Sequence, residues 1–264
     1  MKGMAMPAPH NTFKQALKEG RTVFGCWMDL ASPFSTELMG TTGFDWLLID
    51  GEHGPNDLRS ILAQLQVLEA SPSHAIVRVP VGETYLIKQV LDAGAQTVLV
   101  PMVESADQAR QLVRDVTYPP RGDRGVGYAI ARASRFGEIA DYGTSADAQI
   151  CLLVQVENRA GIANLDEILA VEGVDGVFIG PADLAADMGH MGDALHEEVQ
   201  EVIMDAISRI RAAGKAPGIL STHDPMTERA LEAGAQFVAV GADVSILARG
   251  ARALSRQWIK KTQG

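Results

Sequence analysis

The chain alternates between short apolar runs and longer segments in which apolar residues recur every three or four positions. Short apolar runs predict buried strands, and the longer periodic segments predict amphipathic helices. The pattern is plain between 151 and 183, where apolar runs at 151–157 and 174–180 flank a helical segment at 161–170. This order of strand, helix and strand predicts a β-α-β unit whose two strands are parallel.

The same alternation extends along the whole sequence. Strands are predicted at 23–29, 44–50, 75–80, 97–101, 151–157, 174–180, 216–221 and 237–241. Helices are predicted at 33–42, 56–70, 83–93, from Ser105, at 161–170, at 194–213, from Asp224-Pro225 and at 244–260. Ser105 and Gln108 have the spacing of a capping box, and Asp224-Pro225 is expected to supply an N-cap and a first-turn residue. Such a series predicts a single α/β domain over 1–264, a (β/α)8 TIM barrel with a C-terminal helix at 244–264. A doubly wound sheet is the alternative.

One segment, 117–148, is too long for an ordinary connection between a helix and a strand. It is rich in glycine and arginine and includes Arg132 and Arg135. We interpret it as a long active-site loop that draws anionic substrates into an acidic protein. Its glycines do not follow a strand and open a helix, so they do not form a dinucleotide-binding loop.

Composition and net charge limit the binding partners and the cellular location that we expect for the protein. The formal net charge of −10 argues against nucleic acid as the main partner. No apolar run is long enough to cross a membrane, and 1–11 lacks the apolar core of a secretory signal. The two cysteines lie in strand-like runs and are expected to be reduced. We expect a cytoplasmic protein without nucleic-acid or membrane partners.

Two carboxylates stand just past the ends of consecutive predicted strands. Glu157 follows the fifth strand and Asp183 follows the sixth. Because parallel strands end at the same edge, both would reach one open site, where hard oxygen ligands suit Mg²⁺ or Mn²⁺. The alternative is that each merely faces a helix dipole.

Further candidate catalytic and binding side chains lie at the C-terminal ends of other predicted strands. Asp50 and His53 follow the second strand, and Arg78 lies within the third. His53 is a candidate base, and a buried Arg78 needs an anionic partner, either a structural carboxylate or a substrate. Gln155 shares a side of the fifth strand with Glu157, and Leu220 ends the seventh.

No lysine stands at the C-terminal end of a predicted strand. A Schiff-base mechanism needs a lysine amine at the reacting carbonyl. The lysine positions therefore favour metal-assisted carbonyl chemistry.

Several motifs occur in order along the chain. They are Asp50-Gly-Glu-His-Gly-Pro55, Val77-Arg-Val-Pro80, the 93–102 run, Tyr118-Pro-Pro-Arg-Gly122 with Arg124-Gly-Val-Gly127, Gln155-Val-Glu157 and Gly180-Pro-Ala-Asp183. Together they resemble the motifs of the HpcH/HpaI aldolases, with the 4-hydroxy-2-oxoheptanedioate and 2-dehydro-3-deoxyglucarate aldolase sub-families nearest in pattern. The resemblance covers nearly all of the chain after the first two dozen residues.

This resemblance implies a metal-dependent (class II) pyruvate aldolase on a (β/α)8 barrel. Glu157 and Asp183 would hold a divalent cation such as Mg²⁺, Mn²⁺ or Co²⁺. Arg78 would bind the pyruvyl oxygens, and His53, paired with Asp92, would act as the base. The implied substrate contacts are Gln155, the backbone of Gly180, Pro181 and Ala182, and Asp50 reaching a neighbouring subunit's aldehyde site; Leu220 is a further candidate. It also implies a homo-oligomer, a hexamer built as a trimer of dimers with exchanged C-terminal helices.

The function expected from these readings is reversible cleavage of a 4-hydroxy-2-oxo acid into pyruvate or hydroxypyruvate and an aldehyde, through an enolate stabilised by the metal. Two alternatives remain open at this point. One is an acyl-CoA lyase of the same superfamily, and the other is a non-catalytic barrel that binds an oxo acid and would not need His53.

Overall fold

A computed structural model describes residues 6–262 of the chain and the side chains of 6–259. Eight parallel strands form a closed barrel in sequence order, and Val23 in β1 pairs with Phe237 in β8 to complete the ring. The strands are β1 Val23–Met28, β2 Trp46–Asp50, β3 His74–Arg78, β4 Thr97–Val100, β5 Cys151–Val156, β6 Gly176–Ile179, β7 Ala216–Leu220 and β8 Phe237–Ala242. The predicted (β/α)8 barrel is confirmed, and the doubly wound alternative is excluded because a doubly wound sheet is open.

Helices cover the outside of this barrel. They are α1 Thr12–Lys18, α2 Pro33–Met39, α3 Leu58–Leu68, α4 Thr84–Ala93, α5 Ala106–Val116, α6 Tyr142–Gln149, α7 Arg159–Ala163, α8 Leu165–Leu169, α9 Pro181–Asp187, α10 Glu197–Ala212, α11 Asp224–Ala233 and α12 Asp243–Thr262. The helix predicted at 161–170 is split in two at Asn164, and α1, α6 and α9 were not predicted.

Two predicted helix starts differ in detail. Ser105 caps α5 as predicted, since its Oγ accepts a hydrogen bond from the Gln108 N–H. The Gln108 side chain, however, accepts from the N–H of Glu104, one residue earlier than a capping box requires. At α11 the cap position is His223, so Asp224 and Pro225 are the first two helical residues rather than cap and first turn.

The barrel has two apolar layers. Between sheet and helices the core is aliphatic, whereas the barrel interior holds the aromatic rings of Trp27, Trp46, Phe178 and Phe237. A Cβ on Gly25 would stand 2.1 Å from the Trp46 ring, so only glycine leaves room for that indole. Cys26 and Cys151 are buried free thiols, as expected.

The end of the barrel at the N-terminal ends of the strands, called here the N-terminal face, is closed by α1 and by the segment 117–148. Phe13 of α1 packs edge-on against Trp46 at 6.2 Å. From the long segment, Arg132 donates to the Ala93 carbonyl at 3.0 Å, and Ser145 accepts from the N–H of Ala8 at 2.8 Å. These contacts all lie at the N-terminal face.

The segment 117–148, predicted as a long active-site loop, does not lie over the mouth of its own barrel. The segment leaves the end of α5 and enters β5, and both of those ends lie at the N-terminal face. A connection from helix to strand stays on that side, whereas barrel active sites use the connections from strand to helix. A cavity lined in part by Glu69, Arg132 and Phe136 also lies at the N-terminal face. This cavity is therefore not at the end of the barrel where such enzymes hold their active sites.

The closing helix α12 begins at Asp243, one residue before the predicted start, and residues 263–264 lie outside the described part of the chain. Leu247 and Leu254 on this helix are 61% and 59% exposed. Among the described residues, no helix has the length and apolar character needed to cross a membrane. The helix thus presents apolar side chains that its own barrel does not cover.

Candidate active site

The open end of the barrel at the C-terminal ends of the strands, called here the mouth, collects the polar residues that the strand-end analysis identified. Asp50 ends β2 and pairs in register with Arg78, which ends β3. Gln155 lies near the end of β5 and Glu157 follows it, while Gly180 follows β6. The four polar side chains, of Asp50, Arg78, Gln155 and Glu157, are buried in an otherwise apolar barrel, which points to a site rather than to a packed core.

Arg78 is held on three sides. Its Nε and Nη2 donate to the two carboxylate oxygens of Asp50, both at 2.8 Å, and its Nη1 lies 2.7 Å from Glu52 Oε2. Its guanidinium carbon lies 4.1 Å from the centre of the Trp27 ring. A guanidinium carries five N–H donors, so these contacts fix the group and leave donors on both terminal nitrogens for an anion in the mouth.

Asp50 is a fixed anion. Burial favours its neutral form, but hydrogen bonds and charge from Arg78, with a further bond from the Glu52 N–H at 3.0 Å, outweigh burial and lower the pKa of Asp50. Its second oxygen also accepts from the N–H of His53 at 3.3 Å. Asp50 thus orients Arg78 and anchors the loop that carries His53.

Asp29 is a mouth residue that the sequence analysis missed. It directly follows β1, and its side chain is hydrogen-bonded to Asp50. Burial, that hydrogen bond and the charges of Asp50 and Asp243 raise the pKa of Asp29 to about 7. Two carboxyls in contact do not readily ionise together, so one proton is retained in the pair near neutral pH. Inspection of the end of the first predicted strand, 23–29, would have found it.

Glu157 is a buried carboxylate with incomplete compensation. One of its oxygens accepts from the Met102 N–H at 2.9 Å and the other accepts from the Gln155 amide. Burial, together with the negative charges of Asp183 and Glu52, nevertheless raises its pKa. Met102 itself has a φ of 56°, a conformation that costs free energy and is common at functional sites.

These features fit a divalent cation. Asp183 lies in the first turn of α9, exposed at the mouth and close enough to Glu157 to affect its pKa. A cation between the two carboxylates would offset the repulsion that raises the pKa of Glu157, and carboxylate oxygens are the ligands that Mg²⁺ and Mn²⁺ prefer. The Gln155 Oε1 atom is also buried without a partner among the described residues, which leaves an acceptor in the mouth.

Close approach explains the glycine at the end of β6. A Cβ on Gly180 would lie 2.4 Å from Glu157 Oε2, so any side chain here would displace that carboxylate.

The expected role of the Gly180-Pro181-Ala182 backbone needs correction. The Gly180 N–H already donates to the Val156 carbonyl at 3.2 Å, and proline has no N–H. Of the three, only Ala182 has an N–H for a substrate carboxylate.

His53 lies at the rim of the mouth. Its side chain is 67% exposed, and its Nε2 is 4.0 Å from Glu52. Asp92 lies instead in the last turn of α4, where Arg124 donates to it at 3.1 Å. Helix α4 starts at the mouth and runs for ten residues toward the N-terminal face, so His53 and Asp92 are separated by about 15 Å, the length of this helix. One chain therefore does not bring the implied pair together.

The positions of Leu220 and of two lysines agree with the expectation that residues at the C-terminal ends of strands reach the mouth and others do not. Leu220 ends β7 and is partly buried at the mouth. Lys215 lies at the opposite end of β7, where it donates to the carbonyls of Val171 and Val174. Lys14 is likewise at the N-terminal face, in an ion pair with Asp175 at 3.1 Å. Among the described side chains, no lysine reaches the mouth, in agreement with the sequence analysis.

Comparison with known proteins places this geometry in a family. The family model described as HpcH/HpaI aldolase/citrate lyase matches residues 23–250. A hydroxypyruvate/pyruvate aldolase of Roseovarius nubinhibens is 62% identical over 96% of this chain and 98% of that protein. A 4-hydroxy-2-oxo-heptane-1,7-dioate aldolase of Klebsiella pneumoniae is 55% identical, covering 94% of each chain.

A solved structure supports the same assignment. An HpcH/HpaI aldolase/citrate lyase family protein of Burkholderia cenocepacia is 39% identical with a TM-score of 0.89, over 96% of this chain and all of that one. Family model, relatives and structure agree over nearly the whole length of the barrel. The chain therefore belongs to the HpcH/HpaI aldolase/citrate lyase family.

Proposed function

We propose that this protein is a divalent-metal-dependent (class II) pyruvate aldolase, an aldehyde-lyase. It cleaves 4-hydroxy-2-oxo acids reversibly into pyruvate or hydroxypyruvate and an aldehyde. The observation that carries the proposal is the buried Arg78, fixed by Asp50 with donors left over, in the same mouth as a buried Glu157 whose pKa is raised by burial and by the charges of Asp183 and Glu52. Relatives named as hydroxypyruvate/pyruvate aldolases support the choice of donor.

The cation, held by Glu157 and Asp183, would supply Lewis-acid stabilisation of the negative charge that develops on the substrate's oxo group. Arg78 binds the pyruvyl oxygens through its free N–H donors and adds a positive charge that cannot be lost. Because Asp50 and Trp27 already hold the guanidinium, little reorganisation is needed when charge develops. Gln155 and the N–H of Ala182 orient the oxo acid.

His53 takes and returns the proton as general base and acid. Its exposure at the rim gives it access to the space above Arg78. The proposed pairing with Asp92 requires a second chain, because Asp92 lies at the N-terminal face of its own barrel. An assembly in which one subunit's N-terminal face covers the next subunit's mouth would join them, and Leu220 would then contact the aldehyde portion of the substrate. Asp50 is 1% exposed and both of its oxygens are bound to Arg78 of its own chain, so a contact with a neighbouring subunit's aldehyde site requires this arrangement to change.

Such an assembly fits the exposed apolar side chains of α12. Helix exchange between two subunits would bury Leu247 and Leu254, which contribute about 1.5–3 kcal/mol each when fully buried. We propose a homo-oligomer on this basis, with the trimer of dimers as its expected form.

The proposal is tested by following pyruvate release from 4-hydroxy-2-oxo acids with lactate dehydrogenase. The parent protein is expected to turn over, and Arg78→Ala is expected to lose about 10²- to 10³-fold in kcat/KM while remaining folded. Glu37→Ala, on an exposed residue of α2, is the matched control and should keep parental turnover. Full activity of Arg78→Ala would refute the role of the arginine. Cleavage of a hydroxyacyl-CoA thioester but of no free oxo acid would favour the acyl-CoA lyase.

A further inference from the structure

A second cluster of metal-ligating side chains is formed by the connection between α9 and α10 together with the first turn of α10. His190 Nε2 is 3.0 Å from Glu198 Oε2, and the rings of His190 and His196 are stacked with their centres 3.5 Å apart. One ligand atom from each of the three side chains lies within 4.8 Å of the other two. We call these three residues the His–Glu cluster.

An independent observation points to a missing partner in this cluster. The Nδ1 atom of His196 is buried and has no hydrogen-bond partner among the described residues. An unsatisfied buried polar atom costs about 1–3 kcal/mol. Such a nitrogen is satisfied by a hydrogen-bond partner or by a metal ion, and histidine is the side chain that most often ligates metal ions in proteins.

The backbone fixes the positions of the cluster. The His190 N–H donates to the Ala185 carbonyl of α9 at 2.8 Å, and the Asp193 N–H donates to the His190 carbonyl at 2.9 Å. The His196 carbonyl accepts the N–H of Gln200 at 3.0 Å, in the first turn of α10. The connection is thus tied to both helices, and its ligands are held near one another before any ion binds.

We propose that the His–Glu cluster binds one transition-metal cation of borderline softness, such as Zn²⁺, Co²⁺ or Ni²⁺, with water completing the coordination. Two imidazoles and a carboxylate favour these ions over Mg²⁺. Ligand atoms about 2.0–2.1 Å from a tetrahedral ion lie roughly 3.4 Å apart, so rotation of the stacked rings has to close a gap of about 1 Å. The proton between His190 and Glu198 leaves as the ion binds.

This site differs in chemistry from the one proposed at the mouth. The mouth offers the carboxylates of Glu157 and Asp183, which suit hard cations, whereas the His–Glu cluster is nitrogen-rich. The two are linked through α9, which carries Asp183 in its first turn and ends beside the loop of His190. A bound ion would therefore clamp the end of α9 to the start of α10. The inference does not depend on the aldolase proposal.

The test is a Co²⁺ titration of the full-length, metal-stripped protein in excess Mg²⁺, with bound metal counted and the visible absorption of Co²⁺ recorded. The parent is expected to bind one Co²⁺ per chain that Mg²⁺ does not displace and that shows the intense absorption of tetrahedral coordination, whereas Co²⁺ on the oxygen ligands of the mouth would absorb weakly. His190→Gln and His196→Gln should each weaken it about 10- to 100-fold or more. Acidification should weaken it too, since protons compete for the imidazoles.

Two variants serve as controls. His10→Gln removes an exposed histidine at the N-terminal face and should leave the titration unchanged. Glu157→Gln should retain the Mg²⁺-resistant ion, because that ion does not use the mouth. Thermal unfolding without metal establishes that the histidine variants are folded. Absence of Mg²⁺-resistant Co²⁺ in the parent, or its survival at parental affinity in both histidine variants, overturns the proposal.

Discussion

Arg78 faces more negative charge than one guanidinium neutralises. Asp50 and Glu52 both contact it, and Asp29 is hydrogen-bonded to Asp50 behind them. The pKa of Asp50 is lowered, whereas those of Asp29 and Glu52 are raised. The excess charge is therefore relieved by a proton held mainly on Asp29, which leaves Asp50 as the ion that orients the arginine.

This arrangement makes stability depend on pH in a defined direction. Between the ordinary pKa of 3.8 and the folded value of about 7, Asp29 keeps a proton in the folded state that the unfolded chain has released. The free energy of unfolding therefore falls as pH rises through this window. Asp29→Asn, which cannot ionise, should reduce the loss of stability between pH 5 and pH 8 by about 1 kcal/mol, a figure that allows for the partly exposed carboxyl.

Urea unfolding of the metal-stripped proteins at both pH values measures this difference. Other carboxyls with raised pKa, such as Glu52 and Glu157, contribute equally to parent and variant and cancel in the comparison. Equal losses of stability in the two proteins would show that Asp29 is not the group that holds the proton.

Most residues of the candidate site could be predicted from the sequence, because parallel strands end at one edge. From the sequence alone, that rule places Asp50, Arg78 and Glu157 at the mouth. Asp29, which the sequence analysis did not name, obeys the same rule because it ends the first predicted strand, 23–29. Asp92 came from family resemblance alone, and spacing along the chain does not reveal that its helix ends at the opposite face.

Among the secondary-structure elements, strands were predicted well and connections less so. A strand buried on both sides is a continuous apolar run, as in β5. The short helix α9 lacks a long periodic pattern, although Pro181 at its first position is a start signal. The composition of the segment 117–148 predicts an active-site loop but not the face on which it lies, which follows from the direction of α5 and β5.

The junction between β6 and α9 offers a direct test of the proposed metal site. In Gly180→Ala the new methyl group would meet Glu157 Oε2 at 2.4 Å, so the carboxylate has to move. We expect affinity for Mg²⁺ or Mn²⁺ to fall at least tenfold by calorimetry, with a stability loss of about 1–3 kcal/mol from overpacking. Gly241→Ala is a matched control near the end of β8, where the methyl group makes ordinary contacts at 3.7 and 3.8 Å. Parental affinity in Gly180→Ala would contradict the metal site.

At the scale of the whole molecule, one chain holds an incomplete version of the proposed site. The mouth supplies His53, while Asp92 and its partner Arg124 lie at the other end of the barrel. A closed oligomer resolves this if each subunit's N-terminal face meets the next subunit's mouth. The long segment 117–148, which lies at the N-terminal face of its own barrel, would then lie close to a neighbour's substrate.

Subunit mixing tests this arrangement. His53→Ala and Asp92→Ala are each expected to lose about 10²- to 10⁴-fold in turnover. After co-expression, a site that takes His53 from an Asp92→Ala chain and Asp92 from a His53→Ala chain is intact. Random pairing should therefore restore about a quarter of parental activity. No recovery in hetero-oligomers of verified composition would show that the two residues do not act across an interface.

The central claim is that a cation held by Glu157 and Asp183 is needed for carbon–carbon cleavage. The most direct measurement is pyruvate release from a 4-hydroxy-2-oxo acid by protein stripped with EDTA, before and after Mg²⁺, Mn²⁺ or Co²⁺ is restored. We expect activity to disappear on stripping and to return with metal in the parent, but not in Glu157→Ala. Cleavage that survives complete removal of metal would contradict the account.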